Sequence, residues 1–218
     1  MKQNLEKIRA FLKKNYKWII FTICIVFLLF LIEDVISNDI ITFDEKGYSI
    51  VSRYLISETM NPVAKTITAF ASVYGLILIC VLLIVFIKDK KTCMYILINL
   101  GLSVLINLII KQIMQRPRPI ENRIIDERGY SFPSGHSMVS MAFYGFLIYL
   151  IYKNVKNNYL KYTLIILLAI LIICIGVSRI YLGVHYTSDV LAGFLFALAY
   201  LIIYIHAMEK GKRSKEER

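Results

Sequence analysis

Hydrophobic residues fill long stretches of this chain, and charged residues are concentrated between them. Six apolar segments are candidates for membrane-spanning helices, at residues 18–36, 66–87, 93–110, 137–152, 162–178 and 190–208. A hydrocarbon core of about 30 Å requires about 20 residues of α-helix. Lysine and tyrosine side chains that reach the interface can complete the shorter segments. The pattern therefore predicts an all-α protein, a six-transmembrane-helix bundle.

Composition and charge support the membrane assignment and predict an orientation. The chain is 58% hydrophobic, against about 45–50% in soluble domains. Seventeen of its 26 basic residues lie before the first segment, in the second and fourth connections, and after the sixth segment. These regions share one side of the membrane, and loops rich in lysine and arginine stay in the cytoplasm. Both termini are therefore predicted to be cytoplasmic, in a protein of the plasma membrane.

The remaining charge pattern excludes one class of partner. The formal net charge is +11, which the orientation signal and attraction to anionic lipid heads explain. No basic loop interleaved with aromatic residues accompanies this charge, so we expect no nucleic-acid partner. The membrane is an expected partner, and no obligate protein partner is inferred.

The chain divides into three predicted parts. Residues 1–17 form a cytoplasmic amphipathic lead, with Leu5, Ile8, Phe11 and Leu12 at helical spacing on the inner membrane surface. Residues 18–208 form one six-span domain, and residues 209–218 form a solvated cytoplasmic tail. Within the domain, the outer segment 37–65 is predicted to contain a short interfacial helix at residues 50–56. Residues 114–133, rich in proline and charge, are predicted to be an ordered loop.

A first polar block lies at the end of the third apolar segment. Lys111 closes that segment, and Arg118-Pro119 follows after six intervening residues. One reading is a snorkelling lysine and a stiff basic turn against lipid phosphates; the other is an anion-binding pair. Arg116-Pro117 nearly repeats the dipeptide, but its spacing from Lys111 differs, so Arg116 is the weaker candidate.

A second block precedes the fourth apolar segment and reads Pro133-Ser134-Gly135-His136. Serine before an apolar run is typical of a helix N-cap. The same free backbone amides can bind an anion at a helix start. Capping does not account for His136, an ionisable group beside that position. Both interpretations stay open for this block considered alone.

A third block joins the last two apolar segments and contains Ser178-Arg179, His185 and Asp189. Residues four apart in a helix share a face, so Asp189 can accept a hydrogen bond from one imidazole nitrogen of His185. The other nitrogen is then free to act as a nucleophile. The structural alternative is an Arg179–Asp189 ion pair with His185 as a bystander.

Together the three blocks resemble the tripartite signature of the type 2 phosphatidic acid phosphatase superfamily, whose membrane branch dephosphorylates lipid phosphates. The similar region covers residues 60–208, and the short first outer loop resembles that of compact bacterial members. The matching positions are Lys111, Arg118, Pro119, Pro133, Ser134, Gly135, His136, Ser178, Arg179, His185 and Asp189.

The resemblance implies which residues bind phosphate. Lys111, Arg118 and Arg179 would bind the phosphate oxygens, and Ser134 and the Gly135 amide would complete the site. Three fixed cations can neutralise the charge of a transferring phosphoryl group. Because no further cluster of metal-binding side chains lies in the outer segments, we expect no metal and no cofactor.

The resemblance also implies catalytic roles for three residues. His185 would attack phosphorus and form a phosphohistidine, with Asp189 orienting its ring. His136 would protonate the leaving group and then activate the water that hydrolyses the intermediate. His206 lies near the inner end of the last segment and is expected to be structural.

The predicted function is a metal-independent lipid phosphatase acting at the extracytoplasmic face. Its expected substrates are phosphatidylglycerophosphate, polyprenyl diphosphate or phosphatidic acid. A lipid phosphotransferase and a non-catalytic transporter of anions or lipids are the alternatives. The superfamily also includes soluble haloperoxidases, which six membrane spans argue against.

Overall fold

The computed structural model describes the backbone of residues 2–37 and 40–216, and most of their side chains. The side chains of Leu5 and Ile8 lie outside the described set. Within the described residues the chain forms eight α-helices and no β-strand, which confirms the all-α prediction. The helices are α1 Lys2–Ser37, α2 Ile41–Leu55, α3 Asn61–Ala69, α4 Val73–Phe86, α5 Lys90–Met114, α6 Gly135–Asn154, α7 Asn158–Tyr181 and α8 Thr187–Glu216.

Five of the described helices are long and apolar enough to cross a membrane: α1, α5, α6, α7 and α8. Helices α3 and α4 pass the same test only as a pair, bent by 52° at a short break. The number of candidate spans is therefore five, or six if the bent pair is one span. Apolar residues exposed along α4, such as Val73, Val85 and Phe86, are typical of a lipid-facing surface.

The predicted span at residues 66–87 is not one straight helix, because the structure breaks it between α3 and α4. Ser72 adopts an extended conformation there, and its hydroxyl caps α4 by accepting a hydrogen bond from the Gly75 amide at 3.1 Å. Any side chain at Gly75 would collide with the backbone oxygen of Ala69. A serine cap and a glycine at a close approach therefore favour a corner over a straight helix.

Helix α6 lies at the centre of the bundle and packs against α5, α7 and α8, while α1 packs against α8. Its buried residues, including Phe143 and Phe146, form the main apolar core with Ile172 and Ile175 of α7. On α5, the buried polar residues Asn99, Ser103 and Asn107 repeat every four positions. Lys111 continues that repeat one turn later, so α5 directs it inward rather than toward lipid.

Three boundaries differ from the expected ones. The predicted helix at residues 50–56 corresponds to the last part of α2, which begins at Ile41 and packs against α7 and α8. Helix α1 runs without a break from residue 2 into the first apolar segment, so no change of secondary structure marks the predicted lead. Helix α8 likewise continues through residue 216, where the sequence predicts a solvated tail. The three-part division of the chain stays a prediction.

Candidate active site

The three polar blocks lie together at one end of the bundle. The site is built from the end of α5, the loop at residues 115–134, the start of α6, the end of α7 and the start of α8. A backbone hydrogen bond of 2.9 Å from the Ser134 amide to the Asp189 carbonyl joins the second block to the third. The Ile124 amide donates to the Leu182 carbonyl at 3.0 Å and ties the loop to the α7–α8 connection.

His185 is buried in the α7–α8 connection and has a different partner at each ring nitrogen. Its Nδ1 lies 3.4 Å from Oδ2 of Asp189 and 3.3 Å from the Ser131 hydroxyl. Its Nε2 lies 3.0 Å from Nη1 of Arg118. Because arginine can only donate, we assign the proton of the neutral ring to Nδ1 and the lone pair to Nε2. This tautomer is the one a nucleophilic Nε2 requires.

Burial controls the protonation of His185. Desolvation is the main cause that lowers the pKa of its imidazole to about 4, and Arg118 and Arg179 act in the same direction. The carboxylate of Asp189 opposes this shift but does not reverse it. At neutral pH the ring is therefore uncharged, and its Nε2 lone pair is available once Arg118 moves to another acceptor.

Asp189 is fully buried at the start of α8 and accepts several hydrogen bonds. Its Oδ2 accepts from the Tyr186 amide at 2.9 Å and from the Ser131 hydroxyl. Its Oδ1 accepts from Nη1 of Arg116 at 2.7 Å. The carboxylate is therefore held on both oxygens, which fixes its orientation toward His185.

Lys111 and Arg118 donate to backbone carbonyls of the surrounding loops. The Lys111 ammonium donates to the Tyr130 carbonyl and, at 3.1 Å, to that of Ser131. Arg118 donates from Nε to the Gly129 carbonyl at 3.0 Å and from Nη1 to that of Val184 at 3.0 Å. Both cations therefore point into one polar region rather than outward to lipid heads.

Arg179 is 1% exposed and contacts Thr68 and Glu127. Its Nη1 donates to the Thr68 hydroxyl at 2.9 Å, and its Nη2 lies 2.6 Å from Oε1 of Glu127. Its Nε has no partner in the described part of the chain. A buried donor without a partner is rare, and it leaves Arg179 with capacity for another acceptor.

Glu127 places a carboxylate among the cations that the sequence assigns to phosphate. Its Oε2 lies 3.9 Å from Nη2 of Arg118, and the side chain is 29% exposed. Burial opposes its ionisation, but the charges of Arg179 and Arg118 hold the pKa of Glu127 below its usual value. The sequence pattern assigned no role to Glu127. Its contacts with Arg118 and Arg179 are what place it in the site.

The second block begins α6 as an N-cap. The Ser134 hydroxyl accepts from the Ser137 amide at 3.4 Å and from the Ser137 hydroxyl at 2.9 Å. A side chain added to Gly135 would come within 3.1 Å of the Asn107 side chain, so glycine allows α5 and α6 to approach closely. The capping interpretation is therefore correct, and it leaves the Ser134 proton free to donate to another acceptor.

His136 occupies the first turn of α6 and is partly exposed. Ionisable groups from the other two blocks act electrostatically on its ring: Arg179, His185, Arg118 and Lys111. The residues that the sequence assigns to catalysis and phosphate binding therefore surround a single polar region.

The ion pairs of the site differ from the structural alternative considered for the third block. The Arg179–Asp189 pair does not form; Asp189 pairs instead with Arg116, and Arg179 pairs with Glu127. Arg116, the weaker phosphate-binding candidate, lies between Asp189 and Asp44 of α2, each at 2.7 Å. Motif spacing could not reveal this contact, since Asp44 lies in a segment with no signature residue.

A cavity of about 540 Å³ opens beside His185, between α2 and the 115–122 loop. Arg118 and Arg116 line its polar side, and Tyr48, Ile180 and Tyr186 are among the other residues that line it. Within the described residues no group of three or more His, Cys, Asp or Glu side chains is placed to hold a metal ion.

Comparison with known proteins identifies the family. The PAP2 superfamily profile matches residues 92–213. Phosphatidylglycerophosphatase B of Bacillus subtilis is 33% identical over 125 residues, which cover 56% of this chain and 60% of that protein. An undecaprenyl-diphosphatase of Sulfolobus acidocaldarius is 22% identical over 94% of this chain and 98% of that protein.

Solved structures extend the similarity to the fold. The crystal structure of a transmembrane PAP2-type phosphatidylglycerolphosphate phosphatase from Bacillus subtilis matches with a TM-score of 0.79 and 26% identity, over 87% of this chain and 96% of that one. Aquifex aeolicus LpxE matches in fold, with a TM-score of 0.61 and 20% identity over 73% of this chain and 92% of its own. The chain therefore belongs to the PAP2 superfamily.

Proposed function

We propose that the protein is an integral membrane enzyme that removes phosphate from lipid phosphates or diphosphates through a phosphohistidine at His185. The observation that carries the proposal is the environment of this ring. Asp189 holds Nδ1 at 3.4 Å, and a guanidinium lies 3.0 Å from Nε2. A buried, uncharged imidazole beside several cations is suited to attack an anionic phosphorus centre.

In the first step, the Nε2 lone pair of His185 attacks phosphorus and the bond from phosphorus to the leaving oxygen breaks. Arg118 leaves Nε2 and donates to the phosphoryl oxygens together with Arg179 and Lys111. His136 gives its proton to the leaving oxygen, so a neutral lipid alcohol or a lipid monophosphate departs. Asp189 stabilises the positive charge that develops on the His185 ring.

In the second step, water attacks the phosphohistidine and the bond from nitrogen to phosphorus breaks. His136, now neutral, accepts the proton of this water, and inorganic phosphate leaves. The Nε2 lone pair of His185 is restored. Ser134 and the Gly135 amide lie at the start of α6, where backbone donors and the helix dipole favour an anion.

The active site is assigned to the extracytoplasmic face of a six-span protein whose third and fourth spans are α5 and α6. In this topology α3 and α4 form one bent span, and both termini lie in the cytoplasm with most of the basic residues. An even number of spans separates the α5–α6 loop from the α7–α8 connection, so both loops emerge on one face. Because the two loops contact each other in one site, the number of spans between them must be even.

The proposed substrates are phosphatidylglycerophosphate, polyprenyl diphosphate and phosphatidic acid, drawn from the surrounding bilayer. The names of two relatives favour the first two. The cavity beside His185 offers space for a headgroup or a second phosphate, with Arg116 and Arg118 on one side. Cationic and apolar surfaces in the same cavity suit a ligand that joins a phosphate to a lipid.

The test is phosphate release by the purified protein in detergent, with excess chelator, against a panel of these lipids. His185→Ala is the control for the proposed nucleophile. A detergent solution has no sealed compartment for transport, so a protein that only transports its ligand releases no phosphate in this assay. A phosphotransferase yields a phosphorylated alcohol when an acceptor is supplied. Either result in place of inorganic phosphate would overturn the proposed function.

A further inference from the structure

Asp44 is a buried carboxylate on α2 that the chemistry above does not use. It is 5% exposed. Its Oδ1 accepts from the Ser188 amide at 2.8 Å, and its Oδ2 accepts from the Ser188 hydroxyl at 2.9 Å. Oδ2 also lies 2.7 Å from Nη2 of Arg116. The residue therefore binds both the start of α8 and the 115–134 loop.

Arg116 connects this carboxylate to the one that orients His185. Its Nη2 donates to Asp44, and its Nη1 donates to Oδ1 of Asp189 and to the Ser188 hydroxyl at 2.7 and 2.8 Å. The guanidinium stacks 4.1 Å from the centre of the Tyr186 ring. Charge-assisted hydrogen bonds in a buried position are strong and geometrically specific, so the planar group is held in one orientation.

The two oxygens of Asp189 have separate tasks. Oδ2 faces Nδ1 of His185 at 3.4 Å, while Oδ1 accepts from Arg116. Rotation of the carboxylate about its side-chain bonds would move Oδ2 away from the ring. The bond on Oδ1 opposes this rotation, so the position of Arg116 affects His185 through Asp189.

A close contact between helices places Asp44 within reach. Gly47 lies one turn after Asp44 on α2, and a side chain there would collide with Thr187 at the start of α8. Thr187 is followed by Ser188 and Asp189, so the same approach brings the two carboxylates to opposite sides of Arg116. The contact is independent of charge and offers a second way to perturb the network.

We propose that Asp44 and Arg116 are positioning residues, which act through Asp189 to hold the His185 ring in line for attack on phosphorus. The inference rests on the proposed function of His185. Helix α2 carries no signature residue, but in this proposal it helps to hold the reacting ring in place through Arg116 and Asp189. Neither residue contacts the reacting phosphoryl group in this scheme, so both affect its transfer rather than the binding of inorganic phosphate.

The experiment compares Asp44→Asn and Gly47→Ala with the matched control Glu58→Gln, an exposed carboxylate just past the end of α2. We expect kcat for lipid phosphate hydrolysis to fall about tenfold in both variants, by analogy with the residues that orient metal-binding histidines. The inhibition constant for inorganic phosphate should stay within about twofold of the wild type. Glu58→Gln should match the wild type in both quantities.

A double-mutant cycle with Asp189→Asn separates positioning from general destabilisation. If Asp44 acts through Asp189, Asp44→Asn adds no further loss of kcat in the Asp189→Asn background. Losses of kcat that multiply, or an unchanged kcat in Asp44→Asn, would overturn the inference. Should Asp44→Asn not fold, Arg116→Lys replaces it in the cycle, because lysine keeps the charge but lacks the planar fork that holds both carboxylates in one orientation.

The controls distinguish this inference from the proposed function. If wild-type protein and Glu58→Gln both release phosphate while the α2 variants also keep full turnover, only the positioning role is wrong. If wild-type protein releases no phosphate from any lipid of the panel, the proposed function itself fails.

Discussion

Glu127 offers a direct test of the phosphate-binding assignment, because its carboxylate lies among the cations that would bind the substrate. It is 2.6 Å from Arg179 and 3.9 Å from Arg118. A phosphate that binds these arginines competes with Glu127 for their guanidinium groups. Glu127→Gln removes the competing charge but keeps an oxygen that can accept from Arg179, so that the buried guanidinium retains a partner.

The size of the effect follows from the contact. A hydrogen bond to a charged group contributes about 1.5–3 kcal/mol. Glu127 is 29% exposed, and solvent screening reduces its contribution, so we take about 1.4 kcal/mol, or about tenfold in affinity. The inhibition constant for inorganic phosphate should therefore fall about tenfold in Glu127→Gln. Thermal stabilisation of the variant by added phosphate should increase accordingly.

Asp126→Asn is the matched control, since it makes the same charge change at the neighbouring, exposed position. It measures the long-range effect of one lost negative charge, which we expect to be under about twofold. Phosphate inhibition that is unchanged or weaker in Glu127→Gln than in Asp126→Asn would refute the claim that Glu127 occupies the phosphate site.

Other predictions test the chemistry itself. His185→Ala should abolish phosphate release without loss of folded protein, and substantial turnover in this variant would exclude the ring as nucleophile. His136→Ala should slow release by about 10²–10⁴-fold, measured as initial rates under saturating substrate. Attack requires neutral His185, whose pKa burial lowers to about 4, so kcat/KM should decline with acid near pH 4; a decline centred near pH 6.5 would contradict this environment. Excess chelator should leave the initial rate unchanged, whereas a loss restored by a divalent cation would show that a metal is required.

The membrane character and most of the proposed site could be predicted from local patterns. Long apolar segments exclude water regardless of how the helices pack, so they identify the helical membrane protein before any fold is known. Lys111, His136 and Arg179 were identified in the same way, because ionisable groups beside hydrocarbon are costly without a function. The helix cap at Ser134 could also be predicted from the sequence, since capping depends on residues within one helical turn.

Contacts between distant segments could not be predicted. Asp44 and Arg116 lie 72 positions apart, and Arg179 and Glu127 lie 52 apart. Each residue alone resembles an ordinary interfacial charge, so neither pattern nor spacing reveals the pairing. The bend between α3 and α4 was missed for a related reason. Hydropathy averages over the segment, whereas the break depends on a cap at Ser72 and a close approach at Gly75.

The sequence by itself determined that this chain lies in a membrane and that it is helical, and it identified the polar blocks that are proposed to carry its chemistry. These properties follow from side-chain solvation and local hydrogen bonding, which act at short range along the chain. The tertiary structure decided which charges pair. It joined Asp189 to Arg116 and Asp44, and Arg179 to Glu127. Packing selects these partners, because buried charges must be neutralised by whatever groups the assembled helices bring within reach.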